Sequence, residues 1–188
     1  MDHYVDIHLR PDPEFPPYQL LSALYAKLHR ALVRQDGENI GISFPAQREA
    51  PPSLGTHMRL HGSSSALHKL MDTPWLNGMS DHVQLSPITP IPADTKHRRV
   101  TRVQAKSSPE RLRRRAMRRH GIDADSAKQR IPDSATETLK LPFVQLGSRS
   151  TQQASFPLFI RHGPLLPRPT LGKFNSYGLS QDATIPWF

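Results

Sequence analysis

The apolar residues in the first half of the chain follow strand and helix periods in turn. Val5, Ile7 and Leu9 alternate with polar residues and predict a strand over 4–9. Leucines spaced three and four residues apart predict a long amphipathic helix over 16–35. Shorter patterns predict strands at 40–44, 57–61 and 82–86 and a helix over 64–72. The order β-α-β-β-α-β is that of a ferredoxin-like fold, in which two helices cover one face of a four-stranded antiparallel sheet.

The second half begins with a basic stretch, HRRVTRVQAK over 97–106, whose alternation predicts a strand. The helix-start signal SSPE at 107–110 predicts a helix that ends at Gly121. Asp123 is predicted to cap a shorter helix, and Asp133 a further turn or two. Further strands are predicted over 143–148, 156–161 and 173–179, the last two separated by a Pro/Gly-rich loop.

A proline-rich segment, PITPIP over 87–92, lies between these two halves. Three prolines in six residues are typical of a stiff extended linker. We therefore predict a protein of the α+β class with two domains. These are a ferredoxin-like domain over 1–92 and an α/β domain over 93–188 that carries an arginine-rich helix.

The net charge of +9 comes from one short part of the chain. Residues 96–119 contain eleven lysines and arginines and one acidic residue, whereas the rest of the chain contains 14 basic and 15 acidic side chains. A charge that only maintained solubility would be scattered over the surface. The concentration therefore indicates a binding face for a polyanion such as nucleic acid.

The predicted helix after Pro109 groups its charge on one side. At ~100° per residue, five arginines fall within an arc of roughly 140°. This group, the arginine face, consists of Arg111, Arg114, Arg115, Arg118 and Arg119. The five side chains repel one another unless phosphates neutralise them, and arginine suits bidentate phosphate and guanine contacts. We favour a helix that binds nucleic acid; a solvated helix face, or a nonspecific or targeting patch, is the alternative.

The composition excludes several classes of protein. Because the sequence contains no cysteine, it has no disulfide scaffold, thiolate zinc site or cysteine nucleophile. No apolar run approaches the ~18 residues of a membrane span, and the first residues lack the apolar stretch of a signal peptide. We expect a soluble cytoplasmic protein without a membrane partner.

Ten histidines raise the question of a metal site. His57 and His61 have HxxxH spacing, but residues four apart in a strand are separated by ~13 Å. That distance is too long for one zinc ion with ~2 Å bonds. The H-E-x-x-H pattern and acidic clusters are absent from the sequence. We expect neither a metal nor another cofactor.

Three further features have both a structural and a chemical interpretation. His29 lies at the edge of the apolar arc of the helix over 16–35, where a histidine can act as a general acid or base, although most such histidines only pack or face solvent. The turn GSRST at 147–151 is either a β-turn with polar tips or a set of donors for a phosphate or ribose hydroxyl. Phe156 and Tyr177 either pack in a core or stack on bases.

Long stretches of the sequence resemble one protein family. They are the start MDHYVDIHLRPDPEFPP, the helix KLHRAL, the basic element RVTRVQAKSSPERLRRRAMRRHG, and the segments LPFVQLGSRST, FIRHGPL, SYGLS and PWF. Along essentially its whole length the chain is similar to the CRISPR-associated endoribonucleases of type I-F systems, the Cas-six/Csy-four family.

The resemblance implies a metal-independent endoribonuclease. Such proteins bind the hairpin of CRISPR repeat RNA and cut at the 3′ base of its stem. The RNA's own 2′-hydroxyl attacks, which leaves a 2′,3′-cyclic phosphate or its opened product. The resemblance further implies a chain that is monomeric by itself, retains the mature guide RNA (crRNA) and joins the other subunits of the type I-F surveillance complex. A non-catalytic hairpin-binding subunit and a DNA-binding or ribosome-associated basic protein are the alternatives.

The resemblance also implies roles for individual residues. His29 would transfer the proton, Ser148 would hold the attacking 2′-hydroxyl, and Tyr177 would orient the histidine. Arg102 and Gln104 would read base edges at the foot of the hairpin, and Ser150 and Thr151 would line the phosphate. Phe156 would stack on a nucleotide beside the stem. The arginine face would enter the major groove. The stretch between Ser150 and Phe156 is one residue longer than in the family, so Phe156 and Tyr177 are assigned from their neighbours.

Overall fold

The structure, a computed structural model, describes residues 1–104, 109–132, 139–147 and 155–188 of the chain. Within these ranges helices and strands are mixed along the sequence. The prediction of the α+β class is therefore confirmed.

The elements of the first half follow the predicted order, and each bound lies within one residue of the predicted one. They are β1 (His3–Leu9), α1 (Pro17–Arg34), β2 (Gly41–Ser43), β3 (His57–Gly62), α2 (Ser64–Met71) and β4 (Val83–Leu85). Pro17 suits the first turn of α1 because it has no amide hydrogen to leave unpaired. The Ser63 side chain caps α2 by accepting a hydrogen bond from the amide of Ala66 at 3.1 Å.

The four strands form an antiparallel sheet in the order β2-β3-β1-β4. Val5, Ile7 and Leu9 of β1 are buried in the core, to which α1 also contributes its apolar side. Because side chains alternate along a strand, Asp6 and His8 lie on the opposite face of the sheet. The buried residues of α1 are Leu20, Leu21, Leu24, Tyr25, Leu28, Ala31 and Leu32.

The proline-rich segment is extended, but it belongs to the sheet. Its residues 89–90 form β5 (Thr89–Pro90), which pairs with β1 opposite Tyr4 and His3. The main-chain amide of Ile91 also donates to the carbonyl of Asp2 at 2.9 Å. These contacts hold the segment against the first strand of the chain.

The predicted continuous strand over 97–106 is wrong, because the chain changes sheets at Arg99. β6 (Lys96–Arg98) pairs with β10 (Ile185–Trp187), whereas β7 (Val100–Val103) pairs with β9 (Phe156–His162). The two halves of the alternating stretch therefore have partners from different segments of the chain. Gln104 follows the end of β7.

The strand predicted over 173–179 is also wrong, because this segment contains a turn. The Asn175 side chain accepts hydrogen bonds from the amides of Tyr177 and Leu179, and Gly178 has a φ of 69°. Both features favour a turn over an extended strand. The last strand, β10, was not predicted; it contains Pro186, a residue that weakens a strand signal.

A third sheet has the order β7-β9-β8, where β8 spans Phe143–Leu146. β9 and β8 confirm the strands predicted at 156–161 and 143–148, although β8 ends at Leu146. Val100, Val144 and Ile160 of this sheet share one hydrophobic cluster with the buried residues of β1 and α1.

The chain forms two compact units, residues 1–103 with 141–188 and residues 104–140. The PITPIP segment lies within the first unit. The predicted domains, 1–92 and 93–188, stay a prediction.

The second unit contains the two predicted helices, α3 (Pro109–His120) and α4 (Ala124–Arg130). Gly121 ends α3 with a φ of 61°, and its amide donates to the carbonyl of Met117 at 3.0 Å. Asp123 caps α4 by accepting from the amide of Ser126 at 2.7 Å. The predicted cap at 107–108 lies outside the described residues, as does most of the turn predicted after Asp133.

None of the helices in the described part of the chain combines the length and apolar content needed to cross a membrane.

Candidate active site

His29 is half-buried on α1, one residue after the buried Leu28. Its Nδ1 atom lies 2.8 Å from the carbonyl oxygen of Ser176. Because a carbonyl oxygen can only accept, Nδ1 carries the hydrogen and donates it. In the neutral ring, Nε2 therefore carries the lone pair.

The Ser176 carbonyl belongs to the turn at 175–178. The Asn175 Oδ1 atom accepts from the amides of Tyr177 at 2.9 Å and Leu179 at 3.2 Å. Main-chain bonds close the turn, from Gly178 to the carbonyl of Asn175 at 2.8 Å and from Asn175 to that of Leu179 at 2.9 Å. A Cβ atom on Gly178 would lie 2.8 Å from the Ile42 side chain, so glycine is needed both for the space and for the positive φ.

The ring of Tyr177 stacks on the ring of His29. Their centroids are 4.1 Å apart and their planes differ by 11°. The guanidinium carbon of Arg102 lies 5.5 Å from the centroid of the Tyr177 ring, within the range of a cation–π contact. Hydrogen bond and stack together restrict the imidazole to one orientation.

A buried hydroxyl supports the turn from the core. The Tyr25 hydroxyl donates to the carbonyl of Tyr177 at 2.8 Å. Burial raises the pKa of the Tyr25 hydroxyl well above its usual range, so this group keeps its proton and remains a donor near neutral pH.

The structure brings three of the predicted site residues together: His29, Tyr177 and Arg102. Phe156, the first residue of β9, is half-buried, pairs with Leu146 and packs against the core cluster. The predicted residues Ser148, Ser150 and Thr151 lie outside the described residues.

The predicted contacts in the second unit are exposed. Gln104 begins this unit and is exposed. All five members of the arginine face are exposed on α3: Arg111, Arg114, Arg115, Arg118 and Arg119. The opposite side of α3 is partly buried, and Arg113 there donates to the carbonyl of Ile131 at 2.8 Å. The five arginines predicted within an arc of ~140° therefore form one exposed surface of this unit.

Three residues around His29 were not singled out in the sequence: Tyr25, Asn175 and Ser176. The order Asn-Ser-Tyr-Gly at 175–178 contains two turn-forming residues, a signal against the strand predicted over 173–179. Tyr25 lies among the buried leucines of α1, so its position indicates only a place in the core. Its hydroxyl partner lies 152 residues away in the sequence, so no local pattern indicates this bond.

Comparison with known proteins assigns the chain to a family. Residues 4–188 match the model of a CRISPR-associated protein family, Cas_Csy4. The chain is 54% identical over 188 residues to the CRISPR-associated endonuclease Cas6/Csy4 of Pseudomonas aeruginosa (strain UCBPP-PA14), and the match covers 100% of both proteins. It is 47% identical, again over 100% of both, to the CRISPR-associated endonuclease Cas6/Csy4 of Escherichia coli (strain UTI89 / UPEC). The chain therefore belongs to the Cas_Csy4 family of CRISPR-associated proteins.

Proposed function

We propose that this chain is a metal-independent endoribonuclease that binds the hairpin of CRISPR repeat RNA, cuts at the 3′ base of the stem and retains the crRNA. The observation that carries the proposal is the fixed imidazole of His29, with Nδ1 bonded to the Ser176 carbonyl and one face on the Tyr177 ring. Family membership supports the substrate class, since both relatives are named CRISPR-associated endonucleases.

In the proposed reaction, the 2′-hydroxyl attacks the adjacent phosphate. The O2′–P bond forms and the P–O5′ bond breaks, so one oxygen loses a proton and the other gains one. Neutral His29 accepts a proton at Nε2, and protonated His29 donates one from the same atom. Nδ1 donates to Ser176 in both states, so the ring can serve as base, acid or both without turning.

Tyr177 acts as a positioning residue in this proposal. A half-buried histidine on a helix can rotate about two side-chain bonds. The stacked ring of Tyr177 limits that rotation and keeps Nε2 at a fixed place relative to the turn. Such orientation lowers the barrier because the reacting groups need not find their geometry by diffusion.

The remaining roles rest on the family resemblance. Ser148 would hold the attacking 2′-hydroxyl, and Ser150 and Thr151 would line the phosphate. Arg102 and Gln104 suit bidentate contacts with guanine and adenine edges. Phe156 would stack on a nucleotide beside the stem.

The exposed arginine face supplies the contacts with the stem. The major groove of A-form RNA is deep and narrow, so side chains reach phosphates more readily than base edges. We therefore propose that these five arginines bind mainly phosphates, or bases only where the groove widens near the loop.

The proposal extends to the organisation of the protein. The antiparallel order β2-β3-β1-β4 supports a ferredoxin-like domain over 1–92, and the arginine face supports an RNA-binding domain over 93–188. We propose a cytoplasmic protein that is monomeric by itself and joins the other subunits of the type I-F surveillance complex through its bound crRNA.

The test is cleavage of a repeat hairpin in EDTA by the wild type, His29→Ala and the control His68→Ala. His68 is an exposed histidine on α2 that bonds to its own helix at Ser64. We expect the His29 variant to lose cleavage by about 10²–10⁴-fold while it binds the hairpin normally, and the control to cleave like the wild type.

Cleavage by His29→Ala at the wild-type rate would refute the assignment of His29 as the residue that transfers the proton. A wild type that binds the hairpin without cutting it would instead support a non-catalytic RNA-binding subunit, the function that the arginine face alone favours.

A further inference from the structure

A second group of polar side chains lies on the sheet face opposite the core packed by α1. Asp6 and His8 project from this face of β1, and His57 lies directly opposite His8 in the register of β3. Among the described residues, these three side chains are the group whose potential ligand atoms all lie within 4.8 Å of one another. None of them takes part in the proposed reaction.

We propose that Asp6, His8 and His57 bind a first-row transition metal ion of the zinc class. Two imidazoles and one carboxylate are a donor set that suits zinc and its neighbours, whereas Mg²⁺ and Ca²⁺ require mainly oxygen ligands. This proposal departs from the expectation of no metal, which rested on the long separation of His57 and His61. Those two histidines have different partners, Asp6 and Ser43. His8 adds the nearby donor that the HxxxH spacing lacks.

The candidate ligand atoms are close enough to hold an ion once the side chains adjust. Bonds of ~2.0–2.1 Å in a tetrahedral site place neighbouring ligand atoms ~3.3 Å apart. The His57 Nε2 and Asp6 Oδ1 atoms are now 2.7 Å apart and share a hydrogen, so the ion would take the place of that hydrogen and widen the gap slightly. The rings of His8 and His57 stack, with centroids 4.0 Å apart and planes at 26°. Because a metal lies in the plane of the imidazole that binds it, the exposed His8 ring would turn out of this stack to bind the ion.

A second layer of contacts fixes the carboxylate. Arg59 donates from Nε to Asp6 Oδ1 at 2.6 Å and from Nη2 to Asp6 Oδ2 at 2.9 Å. Partners of this kind orient a metal-binding carboxylate. Arg59 is itself held between the rings of Tyr4 and Phe188, 4.7 and 4.0 Å from its guanidinium carbon, and its Nη1 donates to the Phe188 carbonyl.

The positive charge beside Asp6 also selects the type of ion. Arg59 offsets the carboxylate charge, so attraction for a hard cation is weak at this site. Binding must come chiefly from the imidazole nitrogens, which prefer Zn²⁺, Co²⁺, Ni²⁺ and Cu²⁺. A water molecule can complete the fourth position because His8 is exposed.

The inference is tested with the full-length protein without RNA, so it does not rest on the proposed function. Zn²⁺ is titrated calorimetrically into the wild type, His8→Ala and the control His68→Ala, and Co²⁺ is titrated while the visible absorption spectrum is recorded. The exposure of His8 means that its substitution leaves the core intact. The control removes an exposed histidine that is outside this group.

We expect one Zn²⁺ equivalent and a tetrahedral Co²⁺ absorption band in the wild type and the control. His8→Ala should bind Zn²⁺ at least ~100-fold more weakly and lose the band, since even loss of a supporting contact costs ~10–100-fold. Equal affinity in His8→Ala, or no saturable binding by the wild type, would overturn the proposal.

Discussion

Asn175→Ala is the change that separates positioning of His29 from its chemistry. The exposed Asn175 side chain accepts two backbone hydrogen bonds that shape the turn at 175–178. That turn carries the Ser176 carbonyl, which fixes the His29 ring. Alanine removes the acceptor without adding bulk, while His29 itself is unchanged.

The size of the effect follows from the two bonds that are lost. Each contributes ~1 kcal/mol, so the native turn loses ~2 kcal/mol relative to other conformations of the segment. A barrier raised by that amount lowers the cleavage rate ~30-fold, which is the largest loss we expect from this change. RNA affinity should stay the same, because Asn175 is not among the proposed RNA contacts.

The assay is single-turnover cleavage of the repeat hairpin at saturating protein in EDTA, with affinity measured separately by fluorescence anisotropy. Asn175→Asp is the matched variant, since its carboxylate keeps an acceptor oxygen at the same place; it should cleave within ~3-fold of the wild type. Cleavage by Asn175→Ala at the wild-type rate would show that the turn does not set the catalytic geometry. A parallel loss of affinity would show that the residue binds RNA instead.

Three further predictions concern binding and stability. Arg115→Ala should weaken hairpin binding and lower the slope of log affinity against log salt by ~0.7–0.9, whereas Lys128→Ala on α4 should not; equal slopes would argue against phosphate contacts by the arginine face. Tyr25→Phe should lower the free energy of unfolding in urea by ~1 kcal/mol, because the Tyr177 carbonyl loses its donor; an unchanged value would show that this bond contributes nothing. Burial lowers the pKa of His61 to about 3, below its unfolded value of ~6.5, so its contribution to stability is complete above pH ~6.5 and is lost as the pH falls. The free energy of unfolding in urea, measured between pH 7 and 4, should therefore fall less steeply in His61→Asn than in the wild type. The difference in slope should approach ~1.4 kcal/mol per pH unit below pH ~6.5, and parallel curves would contradict this account.

The first half of the fold could be predicted closely because its apolar patterns are long and regular. The alternation of Val5, Ile7 and Leu9 and the leucines of α1 each specify one buried side, and local spacing is enough to find it. The charge pattern likewise predicted the exposed side of α3.

The errors occur where distant segments or single side chains decide the structure. The stretch 97–106 was predicted as one strand, but its pairing partners come from 185–187 and 159–162, which no local pattern specifies. The segment 173–179 was predicted as a strand, yet the Asn175 side chain and the positive φ of Gly178 make it a turn. Its Ser176 carbonyl then meets His29 from 147 residues away.

The chemical identity of the cleaved ends tests the central claim most directly. The hairpin is incubated with the wild type in EDTA, and the product that contains the stem is analysed by mass spectrometry. Attack by the RNA's own 2′-hydroxyl, assisted by His29, predicts a 2′,3′-cyclic phosphate or its opened product on this fragment and a 5′-hydroxyl on the other. A 3′-hydroxyl paired with a 5′-phosphate, or no cleavage until a divalent metal is added, would contradict it.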